Sequence, residues 1–250
     1  PRSTLDRSSA ASDVYKRQDK SLKRLQTDYI DLYQLHWPDR PMSLFGGSIN
    51  YQHVEGDANS IESILGALSE LIKIGKIRNI GLSNETPWGT MEFIHQSKDK
   101  DLPKMQSIQN AYNLLNRIFE FGGSEIAFRE SVGLLAYSPL AQGYLTGKYQ
   151  NGNLPKGSRK ELFDRLQRYE GVGSEEAIES YLNIAKKYNV DPSQLANQFV
   201  TTRPFVTSNI IGATSMEQLK LAVTSIEVNL TEEIENDIEK AFQKHGNVAS

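Results

Sequence analysis

The segment 30–38, IDLYQLHWP, carries an apolar run into a histidine, with a tryptophan and a proline directly after it. Imidazole is the side chain best suited to give or take a proton, or to donate a hydrogen bond, near neutral pH. Four other strand-like segments also finish on polar or π-bearing groups. They end on Ser83-Asn84, Gln109-Asn110, Tyr137-Ser138 and Gly212-Ala213-Thr214. A lone histidine of this kind is most often an ordinary surface or core residue. Five polar ends together point to a site, because chemistry in a parallel α/β fold gathers at the carboxyl ends of the strands. His36 should therefore project into the mouth of that site, with Pro38 turning the chain away.

The elements that must position these residues alternate along the chain. The pattern predicts strands at 29–35, 77–82, 105–109, 133–137 and 209–212. Helices are predicted at 60–74, 87–98, 123–131, 175–188, 191–201 and 215–223, with a last one after Thr231. In 60–74 the residues Ile61, Ile64, Leu65, Leu68, Leu71 and Ile72 recur with helical period, Asn59 with Glu62 reads as a capping signal, and Gly75 follows the end. Strands alternating with helices argue for a parallel sheet. Two polar stretches interrupt the order, 39–59 and 141–173. The first is long enough to act as a lid or specificity loop.

Composition removes several classes of function. The chain has 250 residues, 38% hydrophobic and 24% charged, which is enough to bury a core. A net charge of −3 offers no basic field for nucleic acid. No run of 18 apolar residues occurs, so no membrane span is expected. The absence of cysteine removes disulfides, thiolate metal sites and cysteine catalysis, and no metal site is expected. No signal peptide with an apolar stretch is evident, so a cytoplasmic protein is expected. Residues 1–18, PRSTLDRSSAASDVYKRQ, have no apolar period and are expected to be a non-native disordered tail, leaving 19–250 as the domain.

The strings SLKRLQTDYIDLYQLHWPD, GLSN, QNAYNLLNR, LLAYSPLAQGYLTGKY and IIGATSMEQL, in this order, resemble the aldo-keto reductases. The nearest branch is that of bacterial reductases which also resemble potassium-channel β-subunits. The resemblance implies a (β/α)₈ barrel that binds NADP(H) and reduces aldehydes or ketones, so a small carbonyl compound is the expected partner. It implies that His36 hydrogen-bonds the substrate carbonyl, and that Ser83, Asn84 and Gln109 hold the nicotinamide carboxamide. Tyr137 would stack on the nicotinamide ring, and Ser138, Leu140 and Gly143 would pass over the pyrophosphate. Lys148 and Arg159 would meet the 2′-phosphate, as a point charge and a fork suited to phosphate. Gly212, Ala213, Thr214 and Gln218 would hold the adenosine phosphate at a helix start.

The sequence departs from the family in two ways. Leu221-Ala222 stand where Glu-Asn usually meets the adenine. The family's aspartate and proton-donating tyrosine on its second strand, and its lysine on the third, have no matching positions. The chain is therefore expected to be a partial barrel, strands 4–8 with strands 1–3 missing, belonging to a carbonyl reductase and inactive by itself. Two other readings stay open: a nucleotide-sensing binding subunit with little turnover, and an unrelated TIM-barrel enzyme such as a phosphate-sugar isomerase. The oligomeric state is left open.

Overall fold

The computed structural model describes residues 16–42, 53, 56–163 and 167–249. They divide into two compact units, one built from 16–42, 53, 56–109 and 125–133, the other from 110–124, 134–163 and 167–249. The stretch 1–15 and most of the predicted loop 39–59, namely 43–52 and 54–55, lie outside the described residues.

In the first unit, helix α1 covers 16–25, so residues 16–18 of the expected tail form its first described turn, with Gln18 buried. Strand β1, Ile30–Gln34, runs parallel to β2, Ile77–Ser83, in the register Ile30↔Ile77 to Gln34↔Gly81. Strand β2 runs parallel in turn to β3, Met105–Ala111, with Ser83 opposite Gln109. Two helices connect these strands: α2, Ile61–Lys73, and α3, Pro87–Asp99.

Helix α2 forms where an apolar stripe of helical period meets a cap. Ser60, rather than the predicted Asn59, is that cap and accepts from the Ser63 N–H at 3.1 Å. Asn59 instead donates from its backbone and side chain to Asp39, at 2.9 and 2.7 Å. The helix buries Leu65, Ala67, Leu68 and Leu71, while β2 and β3 bury Ile77, Ile80, Leu82, Met105 and Ile108. Helix α3 starts on Thr86, whose hydroxyl accepts from the Gly89 N–H at 3.2 Å, with Pro87 in the first turn. Helix α4, Gly123–Arg129, follows β3.

In the second unit, β4, Gly133–Tyr137, runs parallel to β5, Val206–Ile210, with Tyr137 opposite Ile210. Among the described residues three α-helices lie between them: α5, Arg159–Phe163, α6, Ser174–Lys187, and α7, Pro192–Thr201. Two follow: α8, Met216–Thr224, and α9, Glu232–His245. Tyr112 is buried between Phe199, stacked at 5.8 Å, and Phe205, edge-on at 5.3 Å. Its hydroxyl donates to Glu120, which also takes two bonds from buried Arg117, at 2.8 Å each. Arg117 reaches Glu239 on α9 at 3.1 Å and lies 4.0 Å over the Phe242 ring. Arg117 is buried while Glu120 is half-buried and Glu239 exposed, and the buried cation is paired with both carboxylates. Burial above all holds the Tyr112 phenol above its usual range.

Four of the predicted elements need adjustment. Strand β1 stops at Gln34, so His36 is the second residue beyond it, although the Leu35 N–H still bonds to Gly81 at 3.0 Å. Strand β3 runs on to Ala111, so Gln109-Asn110 lie within its last turn of pleat rather than beyond it. Strand β5 ends at Ile210, which puts Gly212-Ala213-Thr214 in the following turn. The cap of α2 moves by one residue.

The fold class also needs correction. A partial (β/α)₈ barrel, strands 4–8 with strands 1–3 missing, was expected; the described chain is an α/β fold with five parallel strands. The expected strand numbers were borrowed from a resemblance, whereas strand pairing is decided by backbone hydrogen bonds that short motifs do not encode. Among the described residues no helix is long and apolar enough to cross a membrane.

Two outcomes test this packing. Leu68 is fully buried, and Leu68→Ala should cost about 2–5 kcal/mol in denaturant unfolding; a loss under 1 kcal/mol would contradict its place in the core. In the second unit Lys187 of α6, then Tyr188 and Lys240, hold the Asp237 carboxyl of α9 below its ordinary value of 3.8. A depressed carboxylate stabilises the fold above its ordinary value and loses that contribution as pH falls toward its folded-state value. The wild type should therefore lose more melting temperature between pH 7 and pH 2 than Asp237→Asn does. Equal losses would mean that the pair contributes nothing.

Candidate active site

Three carboxyl ends meet in the first unit because β1, β2 and β3 are parallel and in register. Ser83 is the last residue of β2, and its hydroxyl donates to the Gln109 carbonyl on β3 at 2.8 Å. The Asn84 N–H reaches the same carbonyl at 3.0 Å. Asn84 sits at φ 54°, a left-handed conformation that asparagine tolerates better than most residues. That turn sends its side-chain amide across to β1, where Nδ2 donates to the His36 carbonyl at 2.9 Å and lies 3.2 Å from Ser83 Oγ. His36, Ser83, Asn84 and Gln109 are thus tied into one group. The imidazole is exposed and stacks on Trp37, with ring centres 4.4 Å apart. The Gln109 side chain makes no hydrogen bond among the described residues and is partly exposed, so its amide is open to a ligand.

A second tie holds the same two loops. Glu85, directly after Asn84, is buried, and Arg40 grips it with both guanidinium nitrogens at 2.5 and 3.0 Å. The same guanidinium donates to Thr86 Oγ1 at 3.0 Å, and the Thr86 N–H donates to Glu85 at 2.7 Å. Gly89 makes room for this: a Cβ there would fall 2.2 Å from Glu85 Oε1. Arg40 also covers the Trp88 ring at 4.9 Å. Beside the clamp is a cavity of about 720 Å³, whose walls include Tyr33, His36, Trp37, Arg40, Glu85 and Trp88. Burial holds the Tyr33 phenol above its ordinary value of 10.0 against the opposing pull of Arg17 and Arg24, so it stays neutral at physiological pH.

In the second unit, β4 ends on Tyr137 and the chain then turns through a run of left-handed residues. Ser138, Ala141, Gln142 and Gly143 have φ of 58°, 47°, 58° and 106°. Asn113 organises the turn: its amide nitrogen donates to the Ser138 carbonyl at 2.9 Å and its oxygen accepts from the Leu115 and Asn116 N–H groups. The Gly143 N–H donates to the Leu140 carbonyl at 2.8 Å. A Cβ on Gly143 would fall 2.7 Å from Lys148 Cε, so glycine lets the lysine lie against the turn. Gln142 Oε1 is buried with no hydrogen-bond partner among the described residues. Lys148 and Arg159 form no ion pair among the described residues, unlike Lys160, which meets Glu170 at 2.5 Å. Lys160, then Tyr144, holds Glu170 below its ordinary carboxylate value.

Gly212, Ala213, Thr214 and Gln218 are exposed past β5. Their side-chain bonding is local: Gln218 Oε1 accepts from the Thr214 N–H at 2.9 Å and its hydroxyl at 3.1 Å, and the Gln218 N–H meets Ser215, the cap of α8.

The sequence reading missed the Arg40–Glu85 clamp, Trp88, Asn113 and Gln142. A signal existed for the clamp. An acid directly after a polar strand end, next to a capping threonine and followed by an indole, is an unusual place for a carboxylate unless a cation comes to it. Nothing in the spacing named Arg40 as that cation, 45 residues earlier.

A family model described as "Aldo/keto reductase family" matches residues 3–242. The match begins inside the segment 1–18 set aside as a tail. Protein tas of Escherichia coli is 48% identical over 224 residues, which is 89% of this chain and 64% of that protein. An aldo-keto reductase of Babesia bovis is 39% identical over 246 residues, covering 92% of this chain and 86% of its own. L-glyceraldehyde 3-phosphate reductase of Escherichia coli is 29% identical over 221 residues, 85% of this chain and 58% of its own. The chain thus spans 64% of the length of the first of these relatives. Nearly all of it falls within one family match: this chain belongs to the aldo/keto reductase family.

Proposed function

We propose that the chain serves an NADP(H)-dependent reduction of aldehydes or ketones to alcohols. The observation that carries this reading is the bonded group at the three strand ends, in which Asn84 joins the His36 backbone to Ser83 and Ser83 joins Gln109. Such a group presents an imidazole beside amides and a hydroxyl, each able to donate and accept. When bound, the nicotinamide supplies a hydride.

His36 donates a hydrogen bond to the carbonyl oxygen and so stabilises charge developing there. Ser83, Asn84 and Gln109 orient the planar carboxamide of the cofactor. Tyr137 offers its ring face to the nicotinamide, while Ser138, Leu140 and Gly143 form the turn that approaches the pyrophosphate. Lys148 and Arg159, with no acid taking their charge among the described residues, meet the 2′-phosphate. The buried Gln142 oxygen beside Gly143 fits a donor supplied from outside the protein. Gly212, Ala213, Thr214 and Gln218 hold the adenosine end. Family membership supports the oxidoreductase class and a nicotinamide cofactor; the choice of NADP rests on the two cations.

Turnover by the chain alone is expected to be low. The cavity beside His36 offers the Tyr33 phenol, raised by burial, and no lysine among its described walls to lower it. A poor general acid forfeits about 10²–10⁴-fold in rate. Cofactor binding is therefore the cleaner test. A charge-assisted bond to phosphate contributes about 1.5–3 kcal/mol. Arg159→Ala should raise the NADPH dissociation constant roughly tenfold or more and leave NADH nearly unchanged, as read by fluorescence titration. An equal loss for both cofactors would refute the assignment.

A further inference from the structure

We infer that Asn113 and Tyr169 are positioning residues for the dinucleotide, tying the turn after β4 to helix α5 at a fixed spacing. The inference rests on the cofactor reading above and deepens it. Asn113 is fully buried, and its amide nitrogen donates twice, to the Ser138 carbonyl at 2.9 Å and to the Tyr169 hydroxyl at 3.1 Å. Its oxygen accepts from the Leu115 and Asn116 N–H groups in the loop after β3. All four positions that a side-chain amide offers are therefore filled. One residue joins three segments that are far apart in sequence. Breaking any of these bonds would leave a buried polar group unsatisfied, so the amide holds its partners firmly.

Tyr169 carries the tie onward. Its ring packs on Tyr144 with centres 6.1 Å apart, and Tyr144 packs on Tyr149 at 4.9 Å; all three are buried. Tyr144 donates to Glu170, the neighbour of Tyr169, and Glu170 holds Lys160 at 2.5 Å. The Lys160 N–H also donates to the Tyr149 hydroxyl at 3.2 Å. Lys160 is the second residue of α5, so these bonds set where Arg159, the first, begins. Lys148 lies on the same stack, its Nζ 5.1 Å from the Tyr149 ring centre. The two cations assigned to the 2′-phosphate are thus mounted on three buried tyrosines, and Asn113 joins that stack to the turn assigned to the pyrophosphate. A ligand with two separate phosphate groups needs the residues that meet them held within about 0.5 Å by packed and bonded neighbours.

The experiment titrates the whole chain with NADPH and NADH by fluorescence and follows amide exchange in the free protein. Tyr169→Phe keeps the ring stack and removes only the hydroxyl. It should raise the NADPH dissociation constant roughly three- to tenfold, the loss of one net hydrogen bond, and change NADH by less than about twofold. In the Arg159→Ala background the same substitution should add less than about twofold, because the hydroxyl acts through Arg159. Asn113→Asp keeps the oxygen that serves Leu115 and Asn116 and loses the donated bonds, so it should weaken both cofactors roughly tenfold. Exchange at 141–149 and 159–163 should quicken in Tyr169→Phe, with β1–β3 unchanged. Circular dichroism would confirm folding, and Tyr169→Phe carries the test should Asn113→Asp not fold. A hydroxyl that only stabilises the fold predicts equal losses of both cofactors, or losses that add in the double variant. Either result, or unchanged NADPH binding in folded Tyr169→Phe, would overturn the inference. A wild type that binds neither cofactor would count against the dinucleotide reading; quickened exchange at α5 would then still support the tie, and unchanged exchange would overturn it.

Discussion

Parallel pairing is the constraint from which the site follows. Strands that run the same way deliver their carboxyl ends to one edge, and the register decides which end residues become neighbours. In the first unit Ser83 lies opposite Gln109, and Gln34 opposite Gly81, which brings the residue pairs just beyond them within hydrogen-bond reach. In the second unit Tyr137 lies opposite Ile210, so the turns after β4 and β5 leave from the same edge of that pair. A shift of one residue in either register would turn these side chains to the other face. Helix α2, with its buried leucine stripe against β2, holds the register of the first unit by packing.

Polar side chains then do locally what the sheet cannot. A loop has no ladder to satisfy its backbone, so Asn84 and Asn113 supply the missing partners, one for the His36 carbonyl and one for the Ser138 carbonyl. Both use the short amide reach that suits asparagine to turns. Glu85 adds a charged version of the same device. Its burial is tolerable because Arg40, the Thr86 hydroxyl and the Thr86 N–H all donate to it. Removing either partner would leave a buried charge alone, which is the costly case. The clamp also fixes the aromatic wall at Trp88, so one ion pair shapes both the loop geometry and the cavity.

Local patterns were legible where one local interaction dominates. The stripe in α2, the Asp191-Pro192 start of α7 and the Thr231 cap of α9 all appear near their predicted places, because caps and periodicity act within a few residues. The Asn59 reading slipped by one residue because Asp39, distant in sequence, took its amide. The end of β5 was placed two residues late, since Ile211 continues the apolar run after ladder pairing has stopped.

What the sequence by itself determined is the list of candidate chemical groups: a histidine after β1, amides and a hydroxyl near the ends of β2 and β3, and an aromatic at the end of β4. Those are properties of residue type and alternation. Only the tertiary structure decided that Asn84 binds the His36 backbone rather than its ring, and that Arg40 closes on Glu85. It alone decided that both tryptophans share one cavity, and that the described strands number five. Each of these depends on contacts between residues tens of positions apart, whose geometry is set by strand register and packing rather than by any local pattern.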